Sequence, residues 1–320
     1  MIYKIVHAIW YLLSLLPFWV HYLLSDFIYL ILYKLLNYRV NVVRKNLTES
    51  FPEKKEQELR EIERKFYHRL CDYFVELVKT MTMSENQIRK RMVFKGIDLV
   101  NQCADEGQSV AVYLGHTFNW EWITSLPFSV SDKLHCGQLY HALESPIFNK
   151  LLLYQRQRWG AECIALVDIL RKTIEYKRKK QLTIIGYIGD QVPHWNNIHH
   201  WCWFLNHDTP VMTGTERIAI KNRQALFFLD VTQTQRGYYE AEFKLITRHP
   251  EQLKEFEATD IYYQMLEANI RRQPELWLWS HNRWKRTREE FDERFEVING
   301  KVIPKDTPFN RECGLITEKD

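Results

Sequence analysis

Short apolar strands alternate with helical segments between about residues 90 and 290, and this alternation limits the possible folds more than any other feature of the chain. The segments 109–114 (SVAVYL) and 182–188 (LTIIGYI) are short, apolar and followed directly by glycine. Their length and composition are typical of buried strands, and helical patterns lie between them. Chains with this alternation form sheets covered by helices. The sequence therefore predicts an α/β domain.

The N-terminal segment is strongly apolar. Residues 5–25 contain no Asp, Glu, Lys or Arg, and the apolar run resumes at 27–33 after Asp26. The uncharged run is about as long as the roughly 20 residues that cross a bilayer. No small-residue cleavage site comes after it, so we expect a retained membrane anchor rather than a removed signal peptide; a buried core helix is the alternative. Spanning the bilayer and lying in its interface both stay open, since Pro17 and His21 interrupt the run.

The remaining patterns divide the chain into four parts. Apolar residues recur every three or four positions between Leu59 and Leu77, which predicts an amphipathic helix from about Pro52 to Lys79. Basic residues after the apolar run (Lys34, Arg39, Arg44 and Lys45) favour a cytoplasmic location for the rest of the chain. We predict a hydrophobic membrane anchor (1–36), a membrane-proximal helical region (37–90), the α/β domain (91–300) and a polar tail (301–320).

Composition excludes several classes of function. A net charge of +4 suits an anionic membrane surface or an acidic partner, but it is too small for a dedicated nucleic-acid-binding protein. The six cysteines lie far apart without a CxxC pair, which indicates reduced thiols rather than a disulfide framework or a zinc site. His194, His199 and His200 have poor spacing for zinc and no nearby carboxylate, so we expect no metal.

The segment LGHTFNWEW (114–122) holds the strongest candidate for a catalytic pair, His116 and Glu121. On one continuous helix, five residues would place these side chains about 140° apart, so they would not meet. They cooperate only if His116 ends a strand and Glu121 lies in the first turn of the next helix, with a bend at Gly115. In that arrangement the carboxylate holds one imidazole nitrogen and the other accepts a proton from a hydroxyl. A core histidine among tryptophans is the alternative.

Five segments resemble, in order, those of the bacterial lipid A biosynthesis (lauroyl/myristoyl) acyltransferase family, part of the wider glycerolipid acyltransferase-like superfamily. GHTFNWEW resembles the His-x4-Asp/Glu motif of that superfamily. The other segments are NVVRKNLTESFPEKKEQE, RQRWG at 156–160, GYIGDQVP at 186–193 and PELWLWSHNRWK at 274–285. The resemblance covers roughly residues 40–290. It implies a glycerol-3-phosphate acyltransferase-like mixed sheet flanked by helices, preceded by the membrane-anchoring helix.

The resemblance also implies a reaction and its partners. A fatty acyl chain would pass from acyl carrier protein to a hydroxyl of a lipid A precursor, on the cytoplasmic face of the bacterial inner membrane. His116 would be the general base, oriented by Glu121, and the scheme needs no metal or other cofactor. Two alternatives stay open: the same chemistry on another membrane lipid, such as a glycolipid or aminoacyl lipid, and a non-catalytic peripheral protein that binds lipid.

Five further residues are candidates for substrate binding or oxyanion stabilisation: Arg156, Arg158, Asp190, Gln191 and Arg283. The two arginines of RQRWG flank one residue on a helix, so only one of them faces the site; solvated surface charges are the alternative. Asp190 is either a site residue or an ordinary turn aspartate. One motif of the family carries an arginine where this chain has Tyr140-His141-Ala142, which puts the contacts of that arginine in doubt.

Overall fold

The computed structural model describes residues 2–312, with helices first and strands and helices alternating afterwards. The α-helices are α1 (Ile2–Ser14), α2 (Phe18–Tyr29), α3 (Val40–Ser50), α4 (Glu56–Lys79), α5 (Glu85–Arg91), α6 (Ile97–Asp105), α7 (Pro146–Gln157), α8 (Ile169–Arg178), α9 (Gly214–Asn222), α10 (Glu257–Arg272), α11 (Arg288–Arg294) and α12 (Pro308–Glu312). The strands are β1 (Met92–Lys95), β2 (Val110–Leu114), β3 (Leu134–Tyr140), β4 (Glu162–Ala165), β5 (Leu182–Ile188), β6 (His200–Phe204), β7 (His207–Val211), β8 (Ala225–Gln235), β9 (Tyr238–Thr247), β10 (Phe295–Ile298) and β11 (Lys301–Pro304). A π-helical segment, Leu30–Leu35, continues α2, and 3₁₀ turns occur at Trp120–Phe128, Leu166–Asp168, Trp195–Asn197, Pro250–Gln252 and Pro274–Leu276.

Seven strands form one mixed sheet in the order β1-β9-β8-β2-β5-β3-β4. The hairpin of β8 and β9 is antiparallel, and every other neighbouring pair in this sheet is parallel. Helices cover both faces, so the predicted α/β fold with a mixed sheet is confirmed. Phe18–Leu35 is long and apolar enough to cross a membrane, and it is the candidate membrane anchor within residues 2–312.

The core lies on both faces of the central strand β2, whose five residues are all buried. Tyr113 packs on one face together with Phe66 of α4 and Tyr262 of α10. Val112 and Leu114 pack on the other face in a second apolar cluster. Burial on both sides explains why this strand is a continuous apolar run rather than an alternating one.

The parallel pairing of β2 with β5 fixes the place of the candidate site. Leu114 and Ile188 are paired at the ends of these strands. The next residues in the chain, Gly115-His116 and Gly189-Asp190, therefore leave the sheet side by side at its carboxyl edge. Two tyrosines of α10 secure both strand ends, because the Tyr262 hydroxyl donates to the Leu114 carbonyl (2.7 Å) and the Tyr263 hydroxyl donates to the Gly189 carbonyl (2.8 Å).

Several local predictions differ from the structure. The alternating apolar pattern of residues 276–279 favours a strand, but the structure has only the end of a 3₁₀ turn at Leu276 and an isolated bridge between Trp277 and Thr117. The helix expected from about Glu121 is a 3₁₀ segment that contains Pro127. Part of the predicted polar tail is structured, since β11 pairs with β10 and α12 comes after it; residues 313–320 lie outside the described residues.

Candidate active site

His116 is paired with Asp190, which lies 74 residues later in the chain. The backbone N–H of His116 donates to Asp190 Oδ2 (2.7 Å), and His116 Nδ1 lies 2.5 Å from Asp190 Oδ1. The Asp190 side chain is 1% exposed, whereas 18% of the His116 side chain remains accessible. A buried carboxylate therefore fixes the ring while part of the His116 side chain stays accessible.

Asp190 is held as an anion by its surroundings. Its Oδ2 also accepts a hydrogen bond from Trp277 Nε1 at 2.7 Å, in addition to the backbone N–H of His116. Burial by itself raises the pKa of Asp190, but the charge of His116 and its hydrogen bonds outweigh burial, so the pKa lies below its usual value. Trp277 reaches this position because the segment around it runs beside residues 117–118, where Phe118 N donates to the Leu276 carbonyl (3.0 Å).

The partner of Nδ1 determines the tautomer of the imidazole. Since a carboxylate accepts from Nδ1, the neutral ring carries its proton there and Nε2 has the free lone pair. Gln191 Nε2 lies 3.1 Å from His116 Nε2 and donates to it. Gln191, a predicted substrate-binding residue, therefore occupies the position from which a substrate hydroxyl would approach this nitrogen.

Gly115 is required at the bend for reasons of space. A Cβ atom at this position would lie 2.5 Å from Leu266 Cδ1 and 3.4 Å from Asp190 Oδ2. A side chain here would displace Leu266 of α10 and would lie in contact with the carboxylate that orients His116. The role of Gly115 predicted from the sequence was a sharp bend, whereas its close packing against α10 and Asp190 is what the structure adds.

The predicted contact between Glu121 and His116 is wrong. Glu121 instead forms a bidentate ion pair with Arg156 of α7, with Nε–Oε2 at 2.8 Å and Nη2–Oε1 at 2.5 Å. Its Oε1 also accepts from Tyr73 (3.3 Å) and from Trp120 Nε1 (3.2 Å). The 3₁₀ turn after His116 directs Glu121 toward α7 and α4, and a carboxylate from the neighbouring strand takes the position beside the imidazole.

Aromatic side chains connect the two polar pairs. The Trp120 ring lies edge-on to His116, with 5.2 Å between centroids, and it also contacts Tyr73 at 4.5 Å. Phe118 stacks on Trp120 and is fully buried, as is Trp122. Of the three aromatic neighbours, Phe118 and Trp122 thus belong to the core, and Trp120 borders the histidine.

Asn119 ties this loop to α4. Its Oδ1 accepts from the Glu121 backbone N–H (3.0 Å), and its Nδ2 donates to Glu76 Oε2 (2.9 Å). The fully buried Glu76 also accepts from Tyr22 and Tyr239. The buried carboxylate of Glu76 therefore holds the loop that carries His116 and Glu121 against α4.

The other predicted arginines do not reach the histidine. Arg158 Nη1 donates to the carbonyls of Thr80 and Met83, after the end of α4. Arg283 is fully buried, and its Nη2 donates to the Pro210 carbonyl (2.7 Å) and the Tyr263 hydroxyl (3.3 Å). Of the two arginines of RQRWG, Arg156 alone faces the site, and Arg283 supports the site from within the protein.

Sequence reasoning missed several residues that build the site, namely Trp277, Tyr262 and Tyr263. Trp277 belongs to PELWLWSHNRWK, so the motif was recognised, but spacing alone does not tell which of its tryptophans meets Asp190. The adjacent tyrosines of α10 look like ordinary core residues in a helical pattern. The link between His116 and Asp190 had a detectable signal, because both come after apolar strands that end in glycine.

An imidazole held by a buried carboxylate, at the carboxyl edge of a largely parallel sheet, is typical of an α/β enzyme that uses a general base. The sequence model of the bacterial lipid A biosynthesis acyltransferases matches residues 1–286, and the chain belongs to this family. Family membership implies an acyltransferase. It also confirms the resemblance drawn from the sequence motifs. No curated protein matches the chain.

Proposed function

We propose that the protein transfers a fatty acyl chain from acyl carrier protein to a hydroxyl of a lipid A precursor, at the cytoplasmic face of the bacterial inner membrane. The observation that carries this proposal is the pair of His116 and Asp190, with Nδ1 held by the carboxylate and 18% of the His116 side chain accessible. Membership of the acyltransferase family supplies the class of reaction.

The chemistry needs one base and no covalent intermediate on the protein. His116 Nε2 removes the proton of the acceptor hydroxyl as its oxygen attacks the thioester carbonyl. The tetrahedral intermediate then collapses, the C–S bond breaks, and the thiolate of the carrier takes the proton from the imidazolium. Asp190 stabilises that imidazolium and keeps the ring in the productive tautomer. General-base catalysis of this kind is worth roughly 10²- to 10⁴-fold in rate.

The other predicted site residues have supporting roles in this scheme. Gln191 leaves Nε2 when the acceptor hydroxyl binds. Glu121 acts through Trp120 and Arg156 rather than on the imidazole itself. Arg156 keeps 21% of its side chain exposed beside this group and supplies a cation for a phosphate of the acceptor.

The test combines an assay with lipid analysis. Purified full-length protein is incubated with acyl carrier protein bearing a labelled acyl chain and with a lipid A precursor. We expect His116→Ala and Asp190→Asn to lower kcat at least a hundredfold. The surface pair His200 and Asp260, at 2.7 Å, offers matched controls, and His200→Ala and Asp260→Asn should retain activity.

Mass spectrometry of lipids from cells with and without the protein then identifies the acceptor. Loss of one acyl chain from lipid A supports the proposal, and loss from another membrane lipid overturns the acceptor while keeping the chemistry. An unchanged lipid profile, together with wild-type behaviour of His116→Ala, overturns the enzymatic function.

A further inference from the structure

The apolar segment at the N-terminus lies along α4 and is joined to it by polar contacts throughout its length. Tyr22 donates to Glu76 (3.1 Å), and Ser25 donates to Asp72 (2.6 Å). Further along, Tyr29 stacks on His68 and Tyr33 donates to Glu63 (2.9 Å). The partners on α4 run backwards as the N-terminal segment runs forwards, so the two helices are antiparallel and in register.

A partly buried cluster of ion pairs secures the middle of this segment, in which the Arg236 and Asp26 side chains are 34% and 47% exposed. Arg236, at the turn between β8 and β9, donates to Asp72 Oδ1 and to Asp26 Oδ1, each at 2.6 Å. Asp72 is fully buried, and Asp26 lies near the centre of the apolar stretch Phe18–Leu35. The strand hairpin, α4 and α2 are thus joined at one point.

This arrangement is incompatible with α2 crossing a bilayer. With Phe18–Leu35 as the span, Asp26 would lie near the bilayer centre, where a charged side chain is costly. Arg236, Asp72 and the charged helix α4 would either accompany it into the hydrocarbon or lose their partner. In the latter case Arg236 would keep Asp72 as its partner, whereas Asp26 would enter the hydrocarbon without a counter-charge, which is strongly unfavourable.

Helix α1 does not provide a span either. Its 13 residues extend about 20 Å, which is less than the roughly 30 Å of the hydrocarbon core. Lys79 Nζ donates to the carbonyls of Ser14 and Leu16, both at 2.8 Å, and so fixes the junction between α1 and α2 to the end of α4. The other side of α1 packs on α7, where Trp10 contacts Phe148.

The outward face of these helices is nevertheless apolar. About half of the large hydrophobic side chains that are exposed in residues 2–312 belong to the first 38 residues. On α2 they include Trp19, Leu23 and Phe27, each at least 60% exposed. Basic residues accompany this face, among them Lys4 near the start of α1 and Lys34 and Arg39 beyond the end of α2. The polar side of these helices is docked on α4, and their outward side combines apolar, aromatic and basic side chains. This composition matches the interfacial region of an anionic membrane.

We propose that residues 2–38 form an in-plane membrane anchor, which lies in one leaflet of an anionic bilayer and does not span it. The proposal rests on the contacts of α1 and α2 alone and is independent of the proposed reaction. Because α1 packs on α7, and α7 carries Arg156 beside Glu121, the anchor also brings the membrane surface to the side of the protein that holds the site.

Protease protection of the full-length protein distinguishes the two topologies. The chain is expressed in bacteria with one epitope tag at each terminus, and proteinase K is added to intact spheroplasts or to inverted inner-membrane vesicles. We expect both tags to survive in spheroplasts and both to be cleaved in inverted vesicles. Cleavage of either tag in intact spheroplasts would establish a span and overturn the proposal, as would recovery of the protein in the soluble fraction.

Binding to vesicles tests whether the exposed apolar side chains of α2 contact the membrane. Purified protein is floated with vesicles of phosphatidylcholine and phosphatidylglycerol in equal parts, or of phosphatidylcholine alone. The double variant Leu23→Glu/Phe27→Glu should bind the anionic vesicles at least about tenfold more weakly, with unchanged thermal stability, because both side chains are exposed. Leu99→Glu/Leu245→Glu, at exposed leucines of α6 and β9, is the matched control and should bind normally. Equal binding by the two double variants would overturn the proposed face.

Discussion

Glu121 and Arg156 form a bidentate ion pair, 35 residues apart in the chain, with Nε–Oε2 at 2.8 Å and Nη2–Oε1 at 2.5 Å. The Glu121 side chain is 3% exposed, and its charge raises the pKa of the Arg156 guanidinium despite the burial that opposes it. The carboxylate of the His-x4-Glu motif therefore has a partner of its own, and it is separated from His116 by the ring of Trp120.

The first prediction concerns the energy of this ion pair. Glu121→Gln leaves Arg156 without a counter-charge in a largely buried position, so we expect the free energy of unfolding to fall by about 3 kcal/mol. Arg156→Met should have a similar effect, and the double variant should lose less than the sum of the two. Denaturant unfolding of the four proteins gives the coupling energy.

Arg158→Met provides the control for that cycle, because Arg158 contacts backbone carbonyls at the end of α4 and not Glu121. Its effect should add to that of Glu121→Gln within roughly 0.5 kcal/mol. Strict additivity between Glu121→Gln and Arg156→Met would contradict the ion pair.

The second prediction separates a positioning role from a packing role for two buried tryptophans. Trp277→Phe removes the hydrogen bond to Asp190 Oδ2, and Trp279→Phe removes one to the Pro274 carbonyl. Each should lower stability by about 1–3 kcal/mol. Only Trp277→Phe should also lower kcat, by roughly tenfold, with little change in KM. Equal kcat values for the two variants would remove Trp277 from the support of Asp190.

The third prediction uses the lack of space at Gly115. Gly115→Ala forces Leu266 to move where α10 packs beside the His116–Asp190 pair, so we expect a loss of about 1–3 kcal/mol in stability and a loss of activity per folded molecule. At Gly214, an added Cβ meets no atom within 4 Å, and Gly214→Ala should be neutral or slightly stabilising. Thermal unfolding and the acyl-transfer assay measure both effects. A fully active, stable Gly115→Ala variant would show that the packing there is loose.

The fourth prediction concerns the pH dependence of stability. Burial, and next the charge of Asp72, raise the pKa of Glu76 from 4.5 to about 7, although three hydrogen bonds to the carboxylate oppose the change. Between these two pH values the folded protein holds a proton that the unfolded chain has lost, so stability falls as pH rises from about 4.5 to about 7. The contribution amounts to roughly 3 kcal/mol in total.

Unfolding measured across that range, for the wild type and for Glu76→Gln, isolates this contribution. The variant should have the flatter profile, since it has no group to titrate at this position. Parallel profiles for the two proteins would mean that Glu76 is ionised throughout the range in the folded state.

The elements that the sequence predicted well are those with a strong local signal. The apolar runs of β2 and β5 and the amphipathic stripe of α4 define their own period and length, and the structure has them within a few residues of the predicted bounds. Strands β3 and β4 were missed because they carry polar residues such as His135, Gln138 and Glu162. Their assignment depends on pairing with neighbours, which a local pattern does not contain.

In the candidate site, too, local features were predicted and features that depend on tertiary packing were not. The positions of His116 and Asp190 at strand ends were evident from the sequence, and strand pairing alone made them neighbours. The orientation of Glu121 was not evident from the sequence, because the same residue points in a different direction in a 3₁₀ turn and in an α-helix. Likewise, the choice between Arg156 and Arg158 depended on where α4 lies, which no spacing within α7 specifies.

The ion pair of Arg236 with Asp26 also sets an order of events during synthesis. Asp26 leaves the ribosome long before Arg236, and at 5–20 residues per second the delay is on the order of 10–40 s. During that interval the nascent chain presents an apolar N-terminus with no counter-ion for its central aspartate. The contacts of the N-terminal segment with α4 can form first, but the third partner at Asp26 is added only when the β8–β9 hairpin has been made. A chain stalled before residue 236 would hold this segment on α4 without that link.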